Sequence, residues 1–277
     1  MDRPQPHLGG SKNGENLANT LPFFFEKIPG PGWLASPWSS APTSQDRGIM
    51  VGTLMGARMC GRVGVRKGIE GLVLEHLGAA GATEHWAVPN ANVSPTNAIP
   101  GVRLVDGARV AASYLWGFLP PNAPSRAFIS EYFTFNARAD KIASGRLYSK
   151  PFKTQRCLIA VNAWFEWPKI GGAKKGTPCT ITPTAGDLFV FAGLWGLWTD
   201  PETGIGHDTA TVITTEPNEL VAALPHHRMP AILSPTEWTI WLDPKTQSAD
   251  LQALLRPAPP EWMDVRHGGP NDFGLTK

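Results

Sequence analysis

The composition and the apolar periodicity of the chain change at Cys60, and this change limits which part of the chain can fold into a domain. Residues 1–58 show neither the period of 2 typical of strands nor the period of 3.6 typical of helices, and Pro, Gly, Ser and Asn recur in them. Such a composition cannot bury enough apolar surface to offset the loss of chain entropy. We therefore expect 1–58 to be a disordered leader, or the product of a start site assigned too far upstream. The segment 60–277 is long enough to form one domain with a sizeable core.

Strands outnumber helices in the pattern that follows Cys60. Runs of β-branched and aromatic residues predict strands at 109–119, 157–161 continuing through 164–167, 179–182, 188–195 and 209–214. Helical spacing or capping residues predict four helices, at 68–77, at 218–224, from Ser234 onward and at 249–255. Thr215 or Glu216 is the expected cap of the second helix. A turn is predicted at 91–96. There is no regular βαβ alternation. The pattern predicts an α+β domain with a mixed, barrel-like β-sheet core and peripheral helices.

Charge and composition exclude several classes of protein. The formal net charge is only +2, so a nucleic-acid partner would need a local basic groove rather than a bulk positive field. Three cysteines argue against a disulfide framework, and their spacing with the histidines fits no zinc motif. No apolar run approaches the roughly 20 residues that span a membrane. Eleven tryptophans predict an aromatic core with some rings left for a binding surface.

Cys60 follows Met59 in a stretch that resembles the front of a chain. If Cys60 were N-terminal, one residue would offer a thiol and an α-amine with a pKa near ~8. The neutral amine would attack an aldehyde to give a Schiff base, and the thiolate would close a thiazolidine ring. An internal Cys60 would instead be a thiol nucleophile paired with a histidine, or simply a small buried apolar residue.

Three further positions carry groups suited to catalysis or binding. Glu166 lies between aromatic residues, where removal from water favours a protonated carboxyl group and suits a proton shuttle. His226 is a second candidate for proton transfer. Asn136 offers a donor and an acceptor, while Arg138, together with Arg62, offers a fork for phosphate. Each also has an ordinary structural interpretation as a strand-end, loop or surface residue.

Six short motifs occur in one order along the chain. They are Cys60-Gly61-Arg62, Asn92-Val93-Ser94-Pro95, Trp116-Gly117, Asn136-Ala137-Arg138, Trp164-Phe165-Glu166-Trp167 and His226-x-Arg228-Met229-Pro230. Together they closely resemble the SOS-response-associated peptidase (SRAP) family over nearly all of 60–277. The resemblance also implies this family's β-barrel-like core with peripheral helices.

The resemblance implies a chemical role for four residues. Members of this family lose the residues before the cysteine and form a thiazolidine crosslink with the ring-opened aldehyde of an abasic site in single-stranded DNA. By this similarity Cys60 is the nucleophile, and Glu166 assists its activation and the proton transfers. His226 acts as acid or base while the sugar ring opens and the crosslink forms or reverses, and Asn136 holds the adduct by hydrogen bonds.

The resemblance also implies a DNA-binding surface and its setting. Arg62 and Arg138 would clamp flanking phosphates, and Pro95 would act as a wedge where the strand is kinked. Trp116 and Thr214 are carried over to the same surface. The protein is then expected to be a cytoplasmic, nucleoid-associated monomer whose partner is single-stranded DNA with abasic sites. It would need no cofactor and no metal, and it would not associate with membranes.

One departure from the family pattern concerns base stacking. The family often has a tryptophan just after its Trp-Gly-x-x-Pro turn, whereas Asn122 stands there in this chain. Stacking of a base on an aromatic ring contributes roughly 1–3 kcal/mol, so we expect lower affinity unless Phe128, Tyr132 or Phe133 substitutes.

The second departure is the leader before Cys60, which would block crosslinking while it remains attached. Two other functions therefore stay open. One is a cysteine-dependent peptidase using Cys60, Glu166 and His226, whose main substrate is its own leader. The other is a non-catalytic module that binds single-stranded DNA.

Overall fold

The computed structural model describes residues 61–81, 89–169, 171, 173 and 175–274. The predicted leader and Cys60 lie outside the described residues. The strands are β1 (Val63–Val65), β2 (Asn90–Val93), β3 (Ala98–Val105), β4 (Ala108–Trp116), β5 (Asn136–Arg138), β6 (Arg156–Val161), β7 (Ala163–Glu166), β8 (Cys179–Pro183), β9 (Phe189–Thr199), β10 (Gly206–Thr215), β11 (Met229–Pro230) and β12 (Met263–His267).

Short helices surround these strands. They are α1 (Ile69–His76), α2 (Ala127–Tyr132), α3 (Ala139–Ile142), α4 (Ser149–Thr154), α5 (Glu219–Ala222), α6 (Pro235–Leu242), α7 (Ser248–Leu254) and α8 (Pro270–Phe273), with a 3-10 turn at Pro260–Trp262. Within the described segments, no helix combines the length and the apolar character that crossing a membrane requires.

Five strands close into a barrel at the centre of the domain. They pair in the order β4-β3-β6-β9-β10, and β10 closes the ring by pairing with β4. The β10–β4 contact is parallel, and the four others are antiparallel. The short strands β5 and β11 also pair with β10. The predicted mixed, barrel-like core with peripheral helices is thus confirmed.

A second sheet of five antiparallel strands has the order β12-β8-β7-β1-β2. The chain enters it directly from the barrel, because only Asn162 separates β6 from β7. The sequence predicted one strand running through this point, and that prediction is wrong. Asn162 Oδ1 accepts from the amide of Arg66 at 2.7 Å, and Nδ2 donates to the carbonyl of Asp187 at 2.8 Å. These bonds satisfy a buried amide that would otherwise destabilise the corner.

Aromatic rings fill the core, as the tryptophan content predicted. The ring of Trp164 lies 4.9 Å from that of Phe189 and 5.9 Å from that of Phe191, measured between centroids. Trp241 is fully buried and donates its indole N–H to the carbonyl of Cys157 at 2.9 Å. A buried indole with a satisfied donor contributes apolar area without a polar penalty.

Three further predicted elements differ from the structure. The predicted strand 109–119 ends earlier, at Trp116. The predicted turn at 91–96 is partly strand β2, and the turn itself begins only at Ser94. The predicted strand 188–195 continues past Gly196 to Thr199. Gly196 therefore lies inside β9 rather than at its end. The ring of Phe118 packs against it, and a Cβ at position 196 would lie 2.9 Å from that ring.

The predicted helices are present, with one different cap. The side chain of Asn218, rather than Thr215 or Glu216, caps α5 by accepting from the amide of Val221 at 3.0 Å. Helix α6 begins after Ser234 with Pro235 in its first turn, as predicted, and Glu237 completes a capping box.

Two glycine substitutions should change stability in opposite directions. A Cβ at Gly101 would lie 2.3 Å from the carbonyl oxygen of Leu158 and 3.0 Å from the ring of Tyr114. Gly101→Ala should therefore lower the free energy of unfolding by about 1–3 kcal/mol. Gly71 lies in α1, and a Cβ at this position would meet no atom within 4 Å. Gly71→Ala should raise the free energy of unfolding by about 0.5–1 kcal/mol. Chemical denaturation measures both, and equal effects would contradict the packing argument.

Candidate functional site

Pairing of β1 with β7 brings the start of the described chain beside Glu166. Val63 lies opposite Trp164, and the amide of Phe165 donates to the carbonyl of Arg62 at 3.0 Å. Gly61 and Glu166 consequently line one open groove of about 590 Å³, which we call the site groove. Its remaining lining comes from Arg62, Phe165 and Trp167 on the β1–β7 side, Ser94 and Pro95 on the β2–β3 turn, and Ser130, Phe133 and Phe135 around α2.

Glu166 and His226 form a buried pair beside this groove. Oε2 of Glu166 lies 3.4 Å from Nε2 of His226, and both side chains are less than 5% exposed. The distance exceeds that of a good hydrogen bond, so the two side chains touch without a close hydrogen bond. Burial, helped by the neighbouring His227, lowers the pKa of His226. The carboxylate acts in the opposite direction, but burial dominates and leaves the imidazole neutral near pH 7.

The two described cysteines are buried thiols. Burial, together with the nearby charge of Glu166, raises the pKa of Cys179 to about 11. Cys157 is fully buried in the barrel, and burial raises its pKa further still. Because the thiolate is the nucleophilic form, neither residue suits nucleophilic chemistry at neutral pH.

The turn that carries Pro95 is fixed to the backbone of Trp116. The amide of Thr96 donates to the carbonyl of Trp116 at 2.8 Å, and the amide of Trp116 donates to the carbonyl of Asn97 at 2.9 Å. Asn97 Nδ2 also donates to the carbonyl and the hydroxyl of Ser94 at 3.1 and 3.0 Å. These bonds hold Pro95 rigidly in the wall of the site groove.

Trp116 itself does not reach the surface. Its side chain is only 1% exposed, and its indole N–H donates to the carbonyl of Phe135 at 3.0 Å. The structure thus places the side chain of Trp116, expected from the sequence to lie on the DNA-binding surface, inside the domain. Its ring meets that of Phe135 edge to face at 6.4 Å and so supports the groove from behind.

Arg138 belongs to an ionic cluster. Its Nε and Nη2 donate to the two carboxylate oxygens of Asp140 at 3.0 and 2.8 Å. Arg228 Nη1 lies 3.6 Å from the same carboxylate, and Arg228 also donates to the hydroxyl of Thr214 at 2.9 Å and to its backbone carbonyl. Asp140 thus joins two arginines, and both partner interactions were missed from the sequence.

Thr214 is 3% exposed and accepts from Arg228 while donating to the carbonyl of Ala137 at 3.3 Å. The sequence placed Thr214 on the DNA-binding surface, whereas in the structure its side chain is buried. Its role is to hold Arg228 and β5 together. Asn136 begins β5 opposite Val212, is half-buried, and directly follows Phe135 of the site groove.

Arg62 lines the site groove on its β1–β7 side. Its Nη1 donates to Oδ1 of Asn92 at 2.8 Å, so a neutral amide orients the guanidinium and leaves its charge uncompensated by that contact.

Exposed aromatic rings also lie at the groove. Phe133 and Trp167 line it and are 46% and 38% exposed. Tyr132 is 64% exposed, and its ring lies 4.4 Å from that of Phe128. Among the predicted substitutes for a stacking ring at Asn122, Phe133 is the one that lines the groove. Trp167 was quoted in a motif but given no role, although its place after a carboxylate at a strand end could have indicated one.

In the described part of the chain, no group of three or more His, Cys, Asp or Glu side chains is arranged to hold a metal ion. The groups available for chemistry in the described site are therefore a buried carboxylate–imidazole pair, flanking guanidiniums and exposed aromatic rings.

Fold and site together define a known class. Residues 59–267 match the family model described as SOS response associated peptidase (SRAP), and the chain belongs to this family.

Particular relatives share this domain. The chain is 36% identical over 179 residues to the abasic site processing protein YoqW of Bacillus subtilis, covering 64% of this chain and 77% of that protein. It is 29% identical over 178 residues to the abasic site processing protein YMR114C of Saccharomyces cerevisiae, covering 63% and 46%. It is 30% identical over 173 residues to the abasic site processing protein HMCES of Gallus gallus, covering 54% and 50%.

Solved structures share the fold. A protein from Bacteroides thetaiotaomicron superposes with a TM-score of 0.58 at 31% identity, covering 65% of this chain and 82% of that chain. A protein from Bordetella bronchiseptica gives a TM-score of 0.63 at 21% identity, covering 76% and 99%, and at this identity the likeness concerns the fold alone.

The buried neutral imidazole predicts a pH dependence of stability. Because the pKa of His226 is lower in the folded protein than in the unfolded chain, the unfolded chain binds more protons below about pH 6.5. Stability should therefore be complete above that pH and fall as the pH drops towards the folded pKa. His226→Gln lacks this contribution, and its free energy of unfolding should fall less between about pH 7 and pH 5. Denaturation curves for the two proteins that run parallel across this range would contradict the assignment.

Proposed function

We propose that this protein processes abasic sites in single-stranded DNA by forming a covalent crosslink through Cys60. The observation that carries the proposal is the contact of Glu166 with His226 beside a groove lined by Gly61, the residue that directly follows Cys60. The sequence therefore ties the cysteine to a groove that already contains a group for proton transfer. The names of the relatives, which are abasic site processing proteins, support the substrate.

The other cysteines support the choice of nucleophile. Cys157 and Cys179 are buried, and burial raises the pKa of both thiols. Cys60 is the remaining cysteine of the three in the sequence.

The proposed reaction needs Cys60 at the N-terminus. Its neutral α-amine attacks the aldehyde carbon of the ring-opened sugar, and loss of water gives an imine. The thiol sulfur then adds to the imine carbon, its proton passes to the nitrogen, and a five-membered thiazolidine results. Amine, thiol and aldehyde thus give one ring and one water. The proposal includes the removal or non-translation of residues 1–59, because a peptide bond at Cys60 would leave no amine.

The neighbouring residues take roles that follow from their positions. Glu166 accepts and returns the protons of the amine and the thiol, and neutral His226 behind it exchanges a proton with the sugar as its ring opens. Asn136 holds the adduct by hydrogen bonds. Arg62 and Arg138 bind flanking phosphates, and Pro95, fixed by the turn, wedges the strand apart. The protein would then act on chromosomal DNA.

A denaturing gel tests the crosslink. Protein with a verified N-terminal Cys60 is mixed with single-stranded DNA carrying one abasic site, and a heat-stable shifted band should appear. Cys60→Ala should give no band, and Cys60→Ser should give no stable band because a hydroxyl is a far weaker nucleophile. Glu166→Gln should slow the reaction by about 10²-fold or more, the usual contribution of a positioned acid or base.

Cys179→Ala is the matched control, since it removes a buried thiol beside the same carboxylate and should leave the band intact. No band from the mature wild-type protein would overturn the proposal. Cleavage of unrelated peptides would favour a peptidase, and DNA binding without a covalent band would favour a binding module.

Asp140 should limit the affinity for DNA, because its carboxylate occupies the fork of Arg138. Asp140→Asn weakens that pairing and frees a guanidinium for phosphate. Affinity for undamaged single-stranded DNA should rise at low salt. The slope of log K against log salt should become steeper by about 0.7, the value for one further phosphate contact on a single strand.

Asp264→Asn serves as its control. Asp264 pairs with Arg266 two residues away at 2.8 Å, but on β12 at the far edge of the second sheet. Fluorescence anisotropy across a salt series measures both variants. Equal gains would mean that net charge alone acts, and would contradict the specific role of Asp140.

A further inference from the structure

A second groove takes part of its lining from two chain segments that also line the site groove. The β2–β3 turn gives Ser94 and Pro95 to the site groove, and its next residues, Thr96 and Asn97, line the second groove. The segment 126–133 also contributes to both grooves, with Ser130 and Phe133 lining the site groove and Arg126 lining the second. A flexible polymer lying in the site groove can therefore continue into the second, which we call the flank groove. Its far side is formed by Leu197, His207 and Asp208.

Arg126 supplies positive charge to the flank groove and is held in place by His207. Nη2 of Arg126 lies 3.0 Å from Nε2 of His207. Since a guanidinium only donates, Nε2 must accept and the imidazole must be neutral. Burial, with help from the charge of Arg126, lowers the pKa of His207 and agrees with this assignment. The ring of His207 also stacks on buried Trp198 at 5.7 Å and 24°.

The charge of Arg126 is not cancelled locally. Among the described residues, no carboxylate forms an ion pair with Arg126. Asp208, the acidic residue of the same groove, is instead bound by Arg103 at 2.8 Å. Arg126 is exposed and keeps several N–H donors for a ligand. Leu197, which is 57% exposed, gives the groove an apolar surface as well. An oriented guanidinium beside apolar surface suits a nucleotide, with its phosphate and its planar base.

We propose that the flank groove binds the single strand that continues from the site groove, with Arg126 on a backbone phosphate and His207 as the residue that positions Arg126. This inference rests on the proposed function, because it extends the path of the same DNA. A single strand fits the proposed path better than a duplex, since the two grooves take their lining from opposite halves of one four-residue loop, whereas duplex DNA resists bending over lengths below about 50 nm.

Binding of undamaged single-stranded DNA tests the proposal without any crosslinking chemistry. Fluorescence anisotropy of a labelled oligonucleotide is measured over a series of salt concentrations. Arg126→Ala should weaken binding about tenfold at low salt, as expected for one charged hydrogen-bonded contact. The slope of log K against log salt should become shallower by about 0.7. Arg266→Ala removes an arginine of similar exposure on β12 and should change neither quantity.

A double-mutant cycle tests the positioning role of His207. His207→Phe keeps a ring to stack on Trp198 but removes the acceptor for Arg126. It should weaken DNA binding when Arg126 is present and have no effect in the Arg126→Ala background. Equal losses in both backgrounds would show a merely structural role and overturn this part of the proposal.

The remaining outcomes separate this inference from the proposed function. Affinity and salt slope unchanged in Arg126→Ala would overturn the flank groove while leaving the crosslink intact. Arg126→Ala should still form the full crosslink at saturating DNA, and its loss there would contradict the assignment to a flanking contact. Wild-type protein that binds no single-stranded DNA would overturn both proposals.

Discussion

Strand β10 shares its backbone hydrogen bonds with four other strands, and both the barrel and the site depend on this sharing. Along its first part it pairs with β9 and β4 and closes the barrel. Along its last part it pairs with β5 and β11. Residues 209–215 are therefore buried throughout, and four of them are threonines. A threonine tolerates such a position because its hydroxyl can satisfy a buried carbonyl, as Thr209 does for Gly196 at 3.1 Å. Through β5 and β11 the same strand fixes the approach of Arg138 and Arg228 to their shared carboxylate.

The contact between Glu166 and His226 depends instead on how the two sheets meet, because the residues are attached to different sheets. Glu166 ends β7 in the second sheet, whereas His226 lies three residues before β11 at the edge of the barrel. The 3.4 Å contact between them requires the sheets to meet at a fixed angle. Asn162 helps to hold the sheets together, since its side chain binds the backbone of Arg66, which follows β1, and of Asp187, which precedes β9. A residue without hydrogen-bonding groups at 162 would remove both of these part-buried hydrogen bonds, and the loss should affect the site at a distance.

The sequence predicts most of what local pattern determines. The helix at Ser234 and the strand at 209–214 follow from capping and from β-branched residues, and the structure contains both. The order of the motifs also predicts the family and the barrel. The corner at Asn162 could not be predicted, because the apolar pattern continues through it. The break between β6 and β7 depends on hydrogen bonds to Arg66 and Asp187, which are distant in sequence. The burial of Trp116 and Thr214 could not be predicted for the same reason. A motif indicates that a residue matters, but not whether it touches the ligand or supports a neighbour that does.

The ionisable groups discussed above fall into two environments, buried and exposed, and this division separates the groups proposed for catalysis from those proposed for DNA affinity. Glu166 and His226 are buried, so salt screens their interaction little, and desolvation sets the protonation state of the imidazole. Arg126 and Arg138 are exposed, so the phosphate contacts proposed for them should weaken steeply as salt rises. The two exposed arginines also differ in whether a carboxylate already binds them. Asp140 already occupies the fork of Arg138, whereas in the flank groove Asp208 is bound by Arg103 and leaves Arg126 available. Affinity for DNA should therefore respond mainly to ionic strength and to the arginines, while the rate of the proposed covalent step should respond to pH and to the buried pair.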